Sequence, residues 1–87
     1  MLVRLLYASR AAAPVTQEII ESILQQSRTH NPGLGITGVL CHGGEVYMQA
    51  LEGGRDAVNA LYTKIVRDER HREVMLLHYA EVPERHF

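Results

Sequence analysis

Alternating apolar positions open the chain. Residues 2–9, LVRLLYAS, predict a β-strand, because side chains two apart on a strand point to the same face. That face carries Val3, Leu5, Tyr7 and Ser9. A phenol and a hydroxyl are therefore expected on the same face as two core residues.

The pattern then changes to the period of a helix. Thr16 is suited to cap this helix, and Glu18 lies in the first turn, where the helix dipole favours an anion. We expect the helix to end before Asn31, since Pro32 disfavours helical geometry at the residue in front of it. One stripe of this helix carries neighbouring positions Ile19, Ile20, Ile23, Leu24 and Ser27.

A hairpin follows the first helix. Residues 36–42, ITGVLCH, predict a second strand, and Gly43 with Gly44 suits a tight turn that needs positive φ. The third strand, which contains VYMQAL, is expected to run to about Leu51, where the glycine pair 53–54 would break it.

A second helix and a fourth strand complete the pattern. The helix is predicted from Arg55 to Asp68, and the strand over residues 73–82, EVMLLHYAEV. The helix presents an apolar stripe of Ala57, Val58, Leu61 and Ile65. The order β-α-β-β-α-β predicts a ferredoxin-like α+β sandwich, a mainly antiparallel sheet with both helices on one face.

Length and charge narrow the classes of function. With 87 residues the chain is expected to form one domain, residues 1–87, and its net charge of −1 provides no basic field for nucleic acid. No apolar run approaches the ~20 residues of a membrane span. The single cysteine, Cys41, excludes an internal disulfide, and we expect a reduced, cytoplasmic protein.

Gln49 raises the question of what its amide binds. It shares a strand face with Tyr47, and a buried amide costs free energy unless its donors and acceptors are matched. If Tyr7 and Gln49 both point toward the helices, they can bond each other and still leave groups over for a polar ligand. Two alternatives stay open. Both side chains can be solvated at a sheet edge, or Val46 and Met48 can be the buried set.

Several of these segments together resemble one family. RLLYASRA, ILQQSRTHNPGLGITGVL and VYMQALEGGRDAVNALYTKIVRDERHREV occur in the order and at the spacing of the BLUF family, the blue-light sensors that use flavin. The likeness runs from about Leu2 to Phe87. LEG or ITG alone would be weak, whereas Tyr7, residues 27–31, ITG, Q-x-LEG and RDxRH form a specific set.

The resemblance implies a flavin site between the two helices. The family binds FAD non-covalently, with the ring inserted between the helices. By motif, Ile23 and Ile65 would sandwich the ring, and Asn31 would bond its C4 carbonyl and N3 edge. The other lining residues would be Ser27, His30, Lys64, Asp68, Arg70 and His71. The cations among them would lie toward the pyrimidine side.

The resemblance also implies a switch and not an enzyme. Tyr7 and Gln49 would lie beside flavin N5 and O4, so that Gln49 bonds the flavin and Tyr7 at once. After blue-light absorption, an electron and a proton of Tyr7 would pass toward the flavin through Gln49, whose side chain would then rotate or tautomerise. The rearranged hydrogen bonds would shift absorption slightly to the red. A protein effector of unknown identity would receive the signal.

The sequence departs from the family pattern at its end. Family members continue into a further strand with a tryptophan and a methionine near the flavin, and we expect this strand and the C-terminal helices to be missing after Phe87. An unprotected sheet edge would result, which favours a homo-oligomer. A flavin-free module that acts through self-association is therefore the alternative function.

The remaining candidate chemistry is weaker. The five histidines match no zinc pattern, so we expect no metal site. Cys41 is expected to be a buried, inert thiol, because neighbouring His42 would point to the other face of the strand. A small hydrolase would rest on fold analogy alone, and the few aromatic residues argue against a nucleic-acid stacking platform.

Overall fold

A computed structural model describes all 87 residues, Met1–Phe87, and shows the predicted order of elements. The strands are β1 (Leu2–Ala11), β2 (Thr37–Gly43), β3 (Val46–Gly54) and β4 (His71–Glu81). The helices are α1 (Gln17–His30) and α2 (Arg55–Arg67), and a short 3-10 helix, Pro32–Leu34, follows α1. Neither helix has the length and apolar character needed to cross a bilayer.

The four strands form one sheet in the order β2-β3-β1-β4, and every neighbouring pair is antiparallel. Ile20 and Ile23 of α1 pack on Tyr47 of β3, while Val58 of α2 packs with Leu51 of the same strand. Tyr47 and Leu51 share a strand face, so both helices cover the same side of the sheet. The prediction of a ferredoxin-like α+β fold is confirmed.

The structure shows which of the two faces of β3 is buried. Tyr47 and Gln49 are buried, at 0% and 7% exposure, whereas Val46 and Met48 are exposed. The predicted burial of Cys41 is wrong, because β2 is an edge strand and Cys41 pairs with Met48 on the face without helices.

The predicted helix cap and the predicted glycine turn are both confirmed. The Thr16 hydroxyl accepts a hydrogen bond from the Ile19 N–H at 3.2 Å and so caps α1. Gly44 turns the hairpin with φ of +59°, a conformation that side chains with a Cβ rarely adopt.

The predicted end of the first helix before Asn31 is confirmed, because α1 ends at His30, but the expected loss of helical geometry at Asn31 is wrong. Asn31 is helical, with φ of −65° and ψ of −40°, although Pro32 follows it. Its N–H donates to the Ser27 carbonyl at 2.9 Å, and its own carbonyl accepts from the N–H groups of Leu34 at 3.0 Å and Ile36 at 2.9 Å. Hydrogen bonds on both sides offset the local preference, and the 3-10 helix continues directly from α1.

The third strand extends further than predicted. Leu2 pairs with Gly54 and Val3 with Gly53, so β3 reaches Gly54 instead of ending near Leu51. A Cβ on Gly53 would lie 3.0 Å from the carbonyl oxygen of Gly35. The glycine therefore permits a close approach of the loop after α1 and does not break the strand.

Other boundaries differ by one or two residues. The first strand continues to Ala11, the second covers residues 37–43, and α2 ends at Arg67. The fourth strand begins at His71 and ends at Glu81, compared with the predicted residues 73–82.

Candidate functional site

A cavity of about 590 Å³ lies between α1 and α2, on the side of the sheet that the helices cover. Its apolar walls are Ile23 of α1 and Leu61 and Ile65 of α2. All eleven residues that the family resemblance assigned to the flavin site line this cavity: Tyr7, Ile23, Ser27, His30, Asn31, Gln49, Lys64, Ile65, Asp68, Arg70 and His71.

Five further residues line the cavity and were not predicted: Gln26, Thr29, Gly33, Leu34 and Leu61. Leu61 belongs to the predicted apolar stripe of α2, so the helical periodicity of the sequence indicates that its side chain faces the sheet. The other four lie in α1 and the 3-10 helix, next to predicted residues. Gln26 and Thr29 lie within the predicted first helix, whereas Gly33 and Leu34 lie in the 3-10 helix, which was not predicted.

Tyr7 and Gln49 form the polar pair on the sheet side of the cavity. They are directly opposite each other on β1 and β3, and both are buried. The Tyr7 hydroxyl donates to Gln49 Oε1 at 2.6 Å. This settles the choice between a buried pair and a solvated edge. Gln49 Nε2 takes part in no hydrogen bond with the protein, so the amide keeps its donors for another group.

The Tyr7 phenol is neutral in this environment. Burial raises the pKa of Tyr7 well above its ordinary value, and the negative charge of Asp68 raises it further, while the Arg70 guanidinium lowers it. The ring contacts Tyr62 and His71, with centroids 5.8 and 6.1 Å away. Tyr7 is thus a buried phenol that retains its proton and donates it in a short hydrogen bond.

Asn31 supplies a second amide to the cavity. Only 7% of the residue is exposed, and its side chain makes no hydrogen bond with the protein. The backbone bonds on both sides of Asn31 fix its position at the end of α1. Ser27, one turn earlier, also leaves its hydroxyl without a protein partner at the cavity.

Asp68 and Arg70 form an ion pair at the cavity rim. Arg70 Nη2 donates to Asp68 Oδ2 at 2.6 Å, Nε donates to Oδ1 at 3.0 Å, and the Arg70 backbone N–H donates to Oδ1 at 2.8 Å. The side-chain hydrogen bonds lower the pKa of Asp68 and raise the pKa of Arg70. Both groups are therefore charged at neutral pH.

His71 lies between the two buried tyrosines. Its Nδ1 is 2.6 Å from the Ser9 hydroxyl, and its ring centroid is 5.1 Å from that of Tyr47. Burial lowers the pKa of His71, although the charge of Asp68 opposes the shift. The His71 imidazole is thus neutral at pH 7. Burial likewise raises the pKa of Tyr47, whose hydroxyl is buried without a hydrogen-bond partner.

The lining fits a flat, polar-edged ring. Aliphatic side chains on facing helices suit the two faces of such a ring, and free amides suit its carbonyl and N–H edge. Both features occur together here, because Ile23 of α1 and Ile65 of α2 line the cavity, and Gln49 Nε2 and the Asn31 side-chain amide have no protein partner. No group of three or more histidine, cysteine or carboxylate side chains comes together.

Comparison with known proteins identifies relatives with the same fold and pattern. Photoactivated adenylate cyclase subunit beta of Euglena longa is 37% identical over 84 residues, which cover 97% of this chain and 10% of that protein. Subunit alpha of Euglena gracilis is also 37% identical over 84 residues, which cover 8% of its length. The chain thus spans about a tenth of the length of these curated relatives.

Solved structures give the same result. A bacterial light-regulated adenylyl cyclase superposes with a TM-score of 0.96 at 34% identity, covering 100% of this chain and 25% of that one. The BLUF protein BlrB in its dark state gives a TM-score of 0.94 at 36% identity, over 99% and 65% of the two chains. Klebsiella pneumoniae BlrP1 with FMN and cyclic diGMP gives 0.90 at 33% identity, over 100% and 23%.

The family model of sensors of blue-light using FAD matches residues 2–87, nearly the whole chain. This match agrees with the cavity and with the relatives. The chain belongs to the BLUF family, whose members bind flavin and sense blue light.

Proposed function

We propose that this chain binds FAD in the cavity between α1 and α2 and that Tyr7 and Gln49 form its light-driven switch. The observation that carries the proposal is the buried Tyr7–Gln49 hydrogen bond of 2.6 Å at the cavity. Its geometry leaves Gln49 Nε2 free to bind a second partner. Membership of the BLUF family supports flavin as that partner.

Each lining residue has a role suited to its chemistry. Ile23 and Ile65 hold the two faces of the ring, and Asn31 binds its carbonyl and N–H edge. Lys64 and Arg70 offset negative charge on the pyrimidine side. The remaining contacts come from Ser27, His30, Asp68 and His71.

When bound, the flavin absorbs blue light and accepts an electron. Tyr7 supplies the electron, and its proton has a direct hydrogen-bonded route onto Gln49 Oε1 at 2.6 Å. Gln49 suits a switch because the two ends of an amide are similar in size and opposite in polarity. A reversed amide presents a different set of hydrogen bonds to the cavity, and absorption shifts to the red.

The signal requires a partner, since a BLUF domain itself is a sensor module. We propose that residues 1–87 act as one sensor domain with no enzymatic activity of its own, and that a separate effector protein receives the signal. Adenylate cyclases are the effectors named in the relatives. Self-association and a cytoplasmic location belong to the same proposal.

The visible spectrum before and after blue light tests the proposal. The chain reconstituted with FAD should turn yellow and show a reversible red shift. Tyr7→Phe and Gln49→Leu should stay yellow and lose the shift, whereas Tyr79→Phe, on β4 and bonded to Asn59, should retain it. A protein that takes up no FAD would contradict binding, and a normal shift in both variants would contradict the assigned switch.

A further inference from the structure

We infer that Gln26, an exposed residue of α1, is a positioning residue for flavin binding that acts through Arg70. It holds the Arg70 guanidinium at an orientation in which the free N–H groups meet a carbonyl of the ligand. The inference rests on the proposed function and adds a residue to which the family resemblance assigned no role.

One hydrogen bond connects the two residues across the cavity. Arg70 Nη2 donates to Gln26 Oε1 at 2.6 Å, although the residues are 44 positions apart. Gln26 lies on α1, Arg70 lies in the turn between α2 and β4, and both line the cavity. This is the one side-chain hydrogen bond that joins α1 to the turn after α2.

Some N–H groups of the Arg70 guanidinium donate to protein acceptors, and others have no protein partner. The guanidinium has five N–H groups in a rigid plane. Nε and Nη2 donate to Asp68, and Nη2 also donates to Gln26. Nη1 has no protein partner, so its N–H groups are available to a ligand carbonyl.

Asp68 alone does not fix this orientation relative to the cavity. Asp68 and Arg70 are two residues apart in the same turn, so their ion pair moves as one unit. Gln26 ties that unit to α1, the helix that carries Ile23 and Asn31. The bond therefore sets the distance between the guanidinium and the other lining residues.

The Gln26–Arg70 bond is itself exposed and lies on the solvent side of a partly buried ion pair. The side chains of Arg70 and Asp68 are only 29% and 28% exposed. Hydrogen bonds to charged groups are stronger than neutral ones, and the difference grows where water is partly excluded. A glutamine on the solvent side of such a pair is thus able to influence the affinity for a ligand.

Affinity and kinetics of FAD binding to the full chain test the inference. Gln26→Leu should weaken FAD binding roughly three- to tenfold, mainly through faster dissociation. Gln26→Glu should restore it, because a carboxylate also accepts from Nη2. Gln25→Leu is the matched control: Gln25 is the exposed neighbour on the same helix, without a side-chain hydrogen bond, and its removal should change nothing.

A spectroscopic readout separates positioning from general stability. In the infrared spectrum of the bound flavin, Gln26→Leu should move a carbonyl stretching band to higher frequency, since a donor to that carbonyl is lost or displaced. A purely structural role would lower the melting temperature of the FAD-free chain and leave the band unchanged, which would overturn the inference.

Other outcomes are equally decisive. If the bond only closes the entrance, Gln26→Leu will bind FAD faster and no more weakly, and the inference is overturned. Unchanged affinity in Gln26→Leu, with normal binding by the unaltered chain, overturns the inference alone. Failure of the unaltered chain to take up FAD overturns the proposed function and the inference together.

Discussion

Tyr7 combines a buried position with a phenolic proton that it retains at neutral pH. Burial raises the pKa of its phenol, and its hydroxyl donates to Gln49. A group whose pKa is higher in the folded state stabilises the fold below its ordinary pKa and loses that contribution as pH rises above it. The same environment that suits the proposed switch therefore makes the stability of the fold sensitive to alkali.

Replacement of the phenol should reduce this sensitivity. At about pH 8, Tyr7→Phe should lower the free energy of unfolding by about 1 kcal/mol, because Gln49 loses its partner. As the pH rises above the ordinary pKa of 10.0, the unaltered chain should lose stability faster than the variant, so the difference between their free energies of unfolding should narrow. Urea unfolding at several pH values measures this difference. Parallel curves would show that Tyr7 is not the group responsible, and Tyr79→Phe is the control.

Glu52 is a buried carboxylate with a complete set of partners. Arg4 donates to it from Nε at 2.9 Å and Nη2 at 2.6 Å, and the backbone N–H groups of His86 and Phe87 donate at 2.7 and 3.0 Å. Burial alone would raise the pKa of Glu52, but these hydrogen bonds outweigh it and the pKa is lowered. Glu52 thereby holds the C-terminal residues on the sheet.

A lowered pKa gives the opposite pH dependence. Stability from Glu52 is fully present above its ordinary pKa of 4.5 and is lost as pH falls through the lower folded value. At neutral pH, Glu52→Gln should lower the free energy of unfolding by about 1–3 kcal/mol. The difference between the unaltered chain and the variant should shrink as the pH falls below 4.5. Chemical denaturation across this range is the measurement. Glu45→Gln, at an exposed turn, should leave the free energy of unfolding unchanged. If Glu52→Gln lowers stability by the same amount at every pH, the Glu52 carboxylate is not the source of the pH dependence.

The sequence predicts side-chain faces better than contacts between distant side chains. The strand period groups Tyr7 with Val3 and Leu5 and Gln49 with Tyr47, but it leaves the buried face of β3 open, and the pairing of β1 with β3 then brings Tyr7 and Gln49 together. The Gln26–Arg70 and Ser9–His71 contacts join residues 44 and 62 positions apart. Such contacts depend on how the helices and β4 sit on the sheet, which periodicity does not specify.

At the level of elements, periodicity gives their type and order, whereas neighbouring elements decide where they end. Local preference places a break at Gly53 and non-helical geometry at Asn31, yet β3 continues through Gly53, and Asn31 keeps helical dihedral angles beyond the end of α1 at His30. Pairing with β1 extends the strand, and hydrogen bonds from the 3-10 helix extend the helical backbone. Backbone hydrogen bonds, to β1 at Gly53 and within residues 27–36 at Asn31, therefore override the local preference at both positions.

Gly53 should tolerate no side chain. A Cβ there would lie 3.0 Å from the Gly35 carbonyl oxygen and 3.3 Å from a Val58 methyl group, and the backbone oxygen has little freedom to move. Gly53→Ala should lower the free energy of unfolding by about 1–3 kcal/mol through overpacking. Gly43→Ala is the matched control, since a Cβ there meets nothing within 4 Å. Equal denaturation midpoints for the two variants would contradict this account.

For the whole molecule, the important asymmetry is between the two sides of the sheet. Both helices cover one side, and the other carries an apolar row across all four strands. Cross-strand pairing gives that row as Cys41, Met48, Ala8 and Met75. Met48 and Met75 are 42% and 62% exposed. An exposed apolar row of this kind favours contact with another apolar surface, and a second copy of the chain offers one.

Charge placed on this row should oppose self-association. In a two-fold dimer through the uncovered face, one Met75→Lys substitution brings in two like charges, one from each copy. The variant should therefore need a higher protein concentration to associate than the unaltered chain, as measured by sedimentation velocity over a concentration series. Val66→Lys provides the control, because Val66 is 49% exposed but lies on α2, on the opposite side of the sheet. If Met75→Lys and Val66→Lys weaken association equally, the contact lies elsewhere, and a chain that stays monomeric at all concentrations has no such contact.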